Sequence, residues 1–264
     1  MAMVQISLSL ANALLGGGTS TTSSGDAVSA LAALKAAQAP GAEARGVAQE
    51  KKDPVTITAL KQFDAALAKA RDVKAALQDP RVLAVLLPAL GLADQAEFPG
   101  LVQKALLADP KDPNGLLANL GSRFSDAAAT LNLREKGLAG LKDPAIASRL
   151  KDAYLQYQYQ KGLDDRNAGL SDALYFLKNA PGETDVFGIL GNAVLRRVVT
   201  GALGLPSQIA VQPVETQARA ITSRLKLEDL QDPKKLQQLA QRYVMAQAGS
   251  GTATGTGSIL SLLR

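Results

Sequence analysis

The chain has 264 residues, no cysteine and no histidine, and its 29 basic and 24 acidic residues give a formal charge of +5. The missing side chains exclude disulfides, cysteine or histidine metal sites, and nucleophilic catalysis that needs a histidine base. Alanine and leucine dominate and aromatic residues make up only 4%, so we expect an all-α fold.

The charge and hydropathy patterns also argue against two classes of partner. The basic surplus is small and no basic block is interleaved with aromatic residues, so nucleic-acid binding is not expected. No apolar run reaches about 18 residues, so no transmembrane segment is expected. The N-terminus lacks a positive region and polar residues interrupt its apolar run, which argues against Sec-type export.

Residues 1–53 are predicted to form a flexible N-terminal segment with a short apolar end. Alternating apolar and polar residues over positions 4–10 suit a short strand. The alternative is a helix, because Ile6, Leu10 and Leu14 then share one face. Neither element is expected to be stable in isolation.

The rest of this segment is predicted to be mostly irregular. Residues 16–25 (GGGTSTTSSG) have the composition of a linker, and no lysine follows the glycines as a phosphate-binding loop requires. Asp26 is expected to cap a short helix that ends at Gln38. Residues 39–53 are polar and are expected to form a loop.

The sequence contains six Asp-Pro pairs. Aspartate accepts hydrogen bonds from the free amides of a first helical turn, and proline suits the first helical position because its φ is fixed. We therefore expect several pairs to begin helices, rather than to supply catalytic or metal-binding carboxylates. The six aspartates are Asp53, Asp79, Asp109, Asp112, Asp143 and Asp232.

Apolar residues at intervals of three and four predict helices along the remaining chain. Pro88 is expected to kink or shorten one of them, and Gly121 to weaken another. The predicted helical ranges are 58–77, 81–90, 98–108, 113–131, 144–162, 170–179, 214–225 and 233–248.

Tyr154, Tyr157 and Tyr159 stand at helical spacing within residues 144–162. This spacing favours core residues with hydroxyl groups at the rim over an aromatic cage. Asp164 and Asp165 follow in a polar stretch. As neighbours on a helix they diverge, so they do not predict paired catalytic acids.

An internal repeat is visible at a constant offset. Residues 202–205 (ALGL) repeat residues 89–92 at an offset of 113, and apolar positions before them match at the same offset. In each copy a glycine, Gly91 or Gly204, is suited to end a helix in the left-handed conformation before a leucine. A match sustained over about twenty residues indicates duplication. A second series at offset 119 pairs Leu117, Leu120, Arg123 and Phe124 with Leu236, Leu239, Arg242 and Tyr243.

The C-terminus, like the N-terminus, combines a predicted linker with a short apolar segment. Residues 249–258 (GSGTATGTGS) predict a second flexible linker, and residues 258–264 (SILSLLR) form an apolar tail. Such a tail can bury its leucines on another surface. The candidate partner-binding residues are Ile6, Leu10, Leu14, Ile259, Leu260, Leu262 and Leu263.

The predicted architecture is a multi-helix bundle with an internally duplicated helical unit and flexible termini. Residues 1–53 form the N-terminal segment and residues 54–147 the first helical repeat. Residues 148–248 contain the tyrosine-bearing helix and the second repeat, and residues 249–264 contain the linker and tail.

Three stretches of sequence carry a resemblance to a known family: LVQKALLADPKDPNGLLANLGSRFSDAAATLNL (101–133), DALYFLKNAPGETDVFGILGNAVLRRVVTGALGLP (172–206) and LEDLQDPKKLQQLAQRY (227–243). Over about residues 60–245 the chain resembles the domain-of-unknown-function family numbered twelve-seventeen. Members of that family recur in flagellar gene clusters of alphaproteobacteria. The resemblance implies an all-helical fold and a connection with the flagellum, and it supplies no catalytic residues.

The termini add two further likenesses. The tail SILSLLR is similar to the C-terminal ends of flagellins and related axial proteins, in which terminal apolar helices pack into the filament core. The loose N-terminus rich in serine and threonine resembles flagellar type III export signals, which are unstructured.

These observations predict a non-enzymatic structural or interaction protein of the bacterial flagellum. It would be exported or associated with the basal body, and it would dock through its apolar termini on axial or basal-body proteins, or on itself. The alternative is a cytoplasmic adaptor, export chaperone or motility regulator. No spacing of acids, lysines or serines indicates an enzyme, and no cofactor, metal or small-molecule ligand is expected.

Overall fold

The computed structural model describes the backbone of residues 21–256 and the side chains of residues 26–249. Within these residues the regular elements are helices and no strand occurs, which confirms the all-α prediction. The first eight helices are α1 (Thr21–Ala37), α2 (Ala42–Glu50), α3 (Pro54–Lys69), α4 (Val73–Ala76), α5 (Pro80–Ala89), α6 (Pro99–Leu106), α7 (Leu116–Leu120) and α8 (Ser122–Leu131). They are followed by α9 (Leu133–Lys136), α10 (Leu138–Lys142), α11 (Pro144–Arg166), α12 (Leu170–Asn179), α13 (Val186–Gly191), α14 (Ala193–Ala202), α15 (Val214–Thr222) and α16 (Pro233–Thr256).

The chain divides into two units. Gly41–Gly162 form one, which we call the inserted unit because it interrupts the other in sequence. The described residues of Met1–Pro40 and Leu163–Arg264 form the second, which we call the flanking unit. The first repeat therefore lies in the inserted unit and the second repeat in the flanking unit. The boundary between the units falls within α11.

Aspartate caps determine several helix starts, as predicted. Asp53, Asp79, Asp143 and Asp232 precede α3, α5, α11 and α16, and each carboxylate accepts a hydrogen bond from a backbone N–H of the first turn. The two remaining aspartates of Asp-Pro pairs act in turns. Asp109 accepts from the N–H of Lys111, and Asp112 from the N–H of Asn114.

Two of the predicted helices are each broken in two. The range 58–77 is interrupted after α3, where Asp72 accepts a hydrogen bond of 2.8 Å from the N–H of Ala75 and begins α4. The range 113–131 is interrupted at Gly121, whose φ of +86° is incompatible with a continuous helix. Pro88 lies in the last turn of α5, and the helix continues past it to Ala89, close to the predicted end.

The prediction of a polar loop over residues 39–53 is wrong, because α2 occupies most of this range. A contact with α11 helps to stabilise this helix. The Cα of Gly46 packs so closely against the ring of Tyr159 that an added β-carbon would collide with ring carbon Cε2. Glu43 also accepts a hydrogen bond from the side chain of Gln156. These long-range contacts stabilise a segment whose own sequence contains little apolar surface.

Both predicted linkers are partly helical. Residues 21–25 belong to α1, and residues 249–256 continue α16. Adding residues to an existing helix is far less costly than nucleating one, so glycine and threonine can extend a helix that is anchored elsewhere. Ala30 and Leu34 of α1 are buried, so this helix is part of the flanking unit and not a loose segment.

The two copies of the sequence repeat are both helical, and α5 in the first corresponds to α14 in the second. Asp79 caps α5, and Asn192, 113 residues later, caps α14 by accepting from the N–H groups of Val194 and Leu195. Gly91 and Gly204 end these helices with φ of +69° and +61°. Both ends carry the same hydrogen bond back into the last turn, Leu92 N–H to Leu87 at 2.8 Å and Leu205 N–H to Thr200 at 2.9 Å.

Each unit has its own apolar core. The core of the inserted unit includes the fully buried Phe63 of α3, and the flanking unit buries Phe176 of α12 at the matching position. In the inserted unit α3 packs on α5. In the flanking unit α12 packs on α14 in the corresponding way, and α16 packs on α1, α12 and α14.

Candidate binding groove

An apolar groove with a volume of about 420 Å³ lies in the inserted unit. Its walls are one face of α5, the turn after α5, the start of α6, and a tyrosine of α11. A volume of this size is typical of binding pockets, which measure about 300–1,000 Å³. The lining residues are Gln78, Pro80, Leu83, Ala84, Leu87, Pro88, Ala93, Ala96, Pro99 and Tyr157.

The spacing of residues along α5 creates the floor of the groove. Pro80, Ala84, Leu87 and Pro88 recur at helical intervals and therefore share one face. Leu87 is buried, whereas Ala84 is exposed. The buried Leu87 thus gives the floor an apolar surface, and the small, exposed Ala84 leaves room for the side chains of a ligand.

Local interactions fix the start of α5. The Asp79 carboxylate accepts from the N–H of Arg81 at 2.9 Å and also binds the guanidinium of Arg81 at 2.6 Å. The hydrogen bond from the Arg81 side chain is the main reason that the pKa of Asp79 lies below its usual value. These two charges next to the groove therefore neutralise each other.

The end of α5 is held from outside the helix. Arg123 donates to the carbonyl oxygen of Gly91 at 3.0 Å and to both carboxylate oxygens of Asp94 at 3.1 Å. This pairing with Arg123 lowers the pKa of Asp94. Pro88 has no N–H, so the carbonyl of Ala84 lacks its usual helical donor on the groove face.

The chemistry of the lining suits an apolar ligand. None of the lining residues is charged, and the polar groups are the amide of Gln78 and the hydroxyl of Tyr157. An ionic ligand would lose hydration without gaining a counter-charge. The residue before the lining residue Pro99 is also apolar: it is Phe98, which is 54% exposed.

In the flanking unit, part of the matching face of the duplicated helix is in contact with α16. Arg197 and Gly201 of α14 stand at the positions of Ala84 and Pro88 in α5, and α16 packs against α14. The ring of Tyr243 lies against Gly201, where an added β-carbon would be 2.8 Å from ring carbon Cδ2. The position that lines the groove as Pro88 in one unit is thus a helix–helix contact, through Gly201, in the other.

A polar network holds this contact together. Asp172 of α12 binds Arg197 at 2.6 Å and 2.8 Å and accepts a 2.8 Å hydrogen bond from the hydroxyl of Tyr243. Burial, and then the charge of Asp172, raise the pKa of Tyr243 above its usual range. The hydrogen bond to Asp172 raises the pKa of Arg197. The side chains of Asp172, Arg197 and Tyr243 thus bind one another, and we assign them a structural role.

The described residues give no indication of a metal site, since no three carboxylates among them lie close enough to hold an ion. In the same part of the chain, no helix is both long and apolar enough to cross a membrane. Tyr154 and Tyr159 are buried, as the core interpretation predicts, but the half-buried Tyr157 lines the groove.

The partner-binding residues predicted from the sequence lie outside the described residues. The sequence does not predict the groove, because its openness depends on which helix covers α5. One signal was nevertheless present: at matching positions of the repeat, Ala84 is apolar where Arg197 is charged. The seven predicted residues are Ile6, Leu10, Leu14, Ile259, Leu260, Leu262 and Leu263.

Comparisons with known proteins identify a sequence family and a fold. Residues 89–236 match the model of a family described as "Protein of unknown function (DUF1217)". The crystal structure of protein AGR_C_984 from Agrobacterium tumefaciens is similar with a TM-score of 0.59 at 22% identity, covering 87% of this chain and 95% of that one. At this identity the likeness concerns the fold. No protein with a curated description matches the chain.

Proposed function

Because the chain belongs to the DUF1217 family of proteins of unknown function, we propose that it is a non-enzymatic interaction protein of the bacterial flagellum. It binds a helical segment of a partner in the apolar groove of the inserted unit. The flagellar assignment rests on the family resemblance, since members recur in flagellar gene clusters. The binding role rests on the groove itself.

One observation carries the binding role. Pro88 of α5 lines an apolar groove, whereas at the matching position of α14 the ring of Tyr243 from α16 lies against Gly201. The two copies of this helix therefore have different neighbours at this position. Burial of one leucine side chain contributes roughly 1.5–3 kcal/mol, so an apolar helix that places two in the groove gains useful affinity.

The partner in this proposal is a flagellar axial or basal-body protein, or another copy of the chain. The apolar residues near both ends of the sequence supply further docking elements. An exported protein would act along the flagellum. A cytoplasmic adaptor, export chaperone or motility regulator would use the same groove inside the cell.

The test is an in-frame deletion complemented with three versions of the gene: the parent, Ala84→Arg and Ala129→Arg. Ala84 lines the groove, and Ala129 is an exposed helical alanine of the same unit outside it. The readouts are swimming motility, filament and hook in electron micrographs, and the location of the protein. Circular dichroism must first show that both arginine variants are folded.

We expect the deletion to impair motility, Ala129→Arg to restore it, and Ala84→Arg to fail. Full restoration by Ala84→Arg would contradict the binding role of the groove, and a deletion with normal motility, filament and hook would contradict the flagellar assignment. Protein found only in the cytosol of cells that export flagellin would assign it the adaptor, chaperone or regulator role.

A further inference from the structure

We propose that the groove binds the apolar C-terminal segment, residues 258–264, of a second copy of the chain, so that copies associate head to tail. This inference rests on the proposed function, because it names the partner of the same groove. Three features of the described residues and the sequence support it.

The first feature is the kind of element that this face accepts. In the flanking unit, α16 packs along α14, and Tyr243 contacts Gly201 at the position that corresponds to Pro88. The molecule thus shows that a helix can pack against this position of the repeat. In the inserted unit the corresponding residue, Pro88, lines the groove.

The second feature is the character of the lining. The groove contains no charged side chain, and its base is formed by Leu83 and Leu87. An occupant must therefore offer an uncharged apolar face, because a buried charge would remain unpaired.

The third feature is a matching segment in the same chain. SILSLLR contains four large apolar residues, and Ile259, Leu262 and Leu263 are spaced to share one face of a helix. Ser261 supplies a hydroxyl within that segment. Its single charged side chain, Arg264, stands at the end of the segment.

The geometry of such a contact determines the assembly. The groove and the tail are different surfaces, so each copy retains one free groove and one free tail. A contact of this heterologous kind produces open chains or closed rings, the smallest of which is a dimer that exchanges its two tails. Since the contact is apolar, its strength should change little with ionic strength.

Two measurements test the proposal. A fluorescent peptide of residues 256–264 is titrated with the full-length chain carrying Leu262→Asp and Leu263→Asp, whose own tail cannot compete. We expect saturable binding that Ala84→Arg, added to this chain, weakens by roughly tenfold or more and that Ala129→Arg leaves unchanged. A peptide with the same two aspartates should not bind.

The second measurement is light scattering of the full-length chain over a range of concentrations. We expect oligomers that both Ala84→Arg and the double tail variant dissociate to monomers. A mixture of these two variants should form one-to-one complexes, because one keeps an intact tail and the other an intact groove. A monomeric parent, or oligomers that survive both changes, would overturn the proposal.

The outcomes separate this inference from the proposed function. If the peptide does not bind but Ala84→Arg still abolishes motility, the groove serves another partner and the head-to-tail contact is wrong. If the peptide binds and Ala84→Arg is fully motile, the self-association exists and the proposed function is wrong.

Discussion

The ring of Tyr243 packs directly on the backbone of Gly201, in a helix where glycine is otherwise unfavourable. Position 201 is helical, so its backbone conformation does not require glycine. The requirement comes from the ring, because an added β-carbon would lie 2.8 Å from Cδ2 and 3.0 Å from Cε2. The close approach of α14 and α16 therefore depends on this one missing methyl group.

We predict that Gly201→Ala destabilises the flanking unit. The alanine gains up to about 1 kcal/mol in helix propensity, but a rigid ring must move to admit the methyl group. Overpacking of this kind costs roughly 1–3 kcal/mol, so with a gain of about 1 kcal/mol the net loss should be at most about 2 kcal/mol. The measurement is the free energy of unfolding in urea.

Gly191→Ala is the matched control, because it also adds a methyl group to a helical glycine of the flanking unit. No atom lies within 4 Å of the added β-carbon at this position, so stability should stay equal or rise. A Gly201→Ala protein as stable as the Gly191→Ala protein would contradict the packing of Tyr243 on α14.

We predict that Tyr243 and Asp172 are energetically coupled. Tyr243→Phe removes the 2.8 Å hydrogen bond to the carboxylate and should cost about 1–2 kcal/mol. Asp172→Asn weakens the same bond and the ion pair with Arg197, which is partly screened because the arginine side chain is 55% exposed. A double-mutant cycle should give a coupling energy of about 0.5–1.5 kcal/mol. Additive effects would show that the bond does not form.

Stability should also fall at alkaline pH because of Tyr243. Its pKa is raised in the folded chain by burial and by Asp172, whereas an unfolded tyrosine titrates near about 10. Above that pH the unfolded chain binds fewer protons than the native one, so the free energy of unfolding decreases, by at most about 1.4 kcal/mol per pH unit.

The check compares the parent with Tyr243→Phe between neutral and strongly alkaline pH. The stability advantage of the parent is fully present below pH 10 or so and should shrink above it. An advantage that stays constant or grows in alkali would exclude the raised pKa of Tyr243. Lysine titration affects both proteins alike and cancels in the comparison.

We predict that Gly46→Ala destabilises the inserted unit by roughly 1–3 kcal/mol, because the added methyl group collides with Tyr159. If residues 42–50 were a loop, the same change would be nearly neutral. Ala44→Ser, at an exposed position of α2, should change stability by less than about 0.5 kcal/mol. Thermal unfolding of the three proteins distinguishes the two outcomes.

Much of the helical plan was predictable because helix ends are local. Asp79 and Asn192 cap helices through amides two or three residues away, and Gly91 and Gly204 end them with bonds inside the last turn. The break at Gly121 and the position of Pro88 follow in the same way from backbone chemistry. The duplication is visible because both repeats keep these signals at one offset.

Other features required residues that are distant in sequence. The helix α2 forms where the local composition favours a loop, because Tyr159 and Gln156 pack against it. Arg197 of α14 binds Asp172 of α12, which lies 25 residues earlier in the chain. The partner of a polar side chain is set by which helices meet, and periodicity within one helix does not contain that information.

The sequence by itself therefore determined the fold class, the repeat and the ends of several helices, since these depend on propensities and hydrogen bonds within a few residues. Only the tertiary structure decided that Tyr243 of α16 packs on Gly201 while the matching Pro88 lines an apolar groove. The physical reason is that burial is a property of pairs of elements, and α5 and α14 are similar helices with different neighbours.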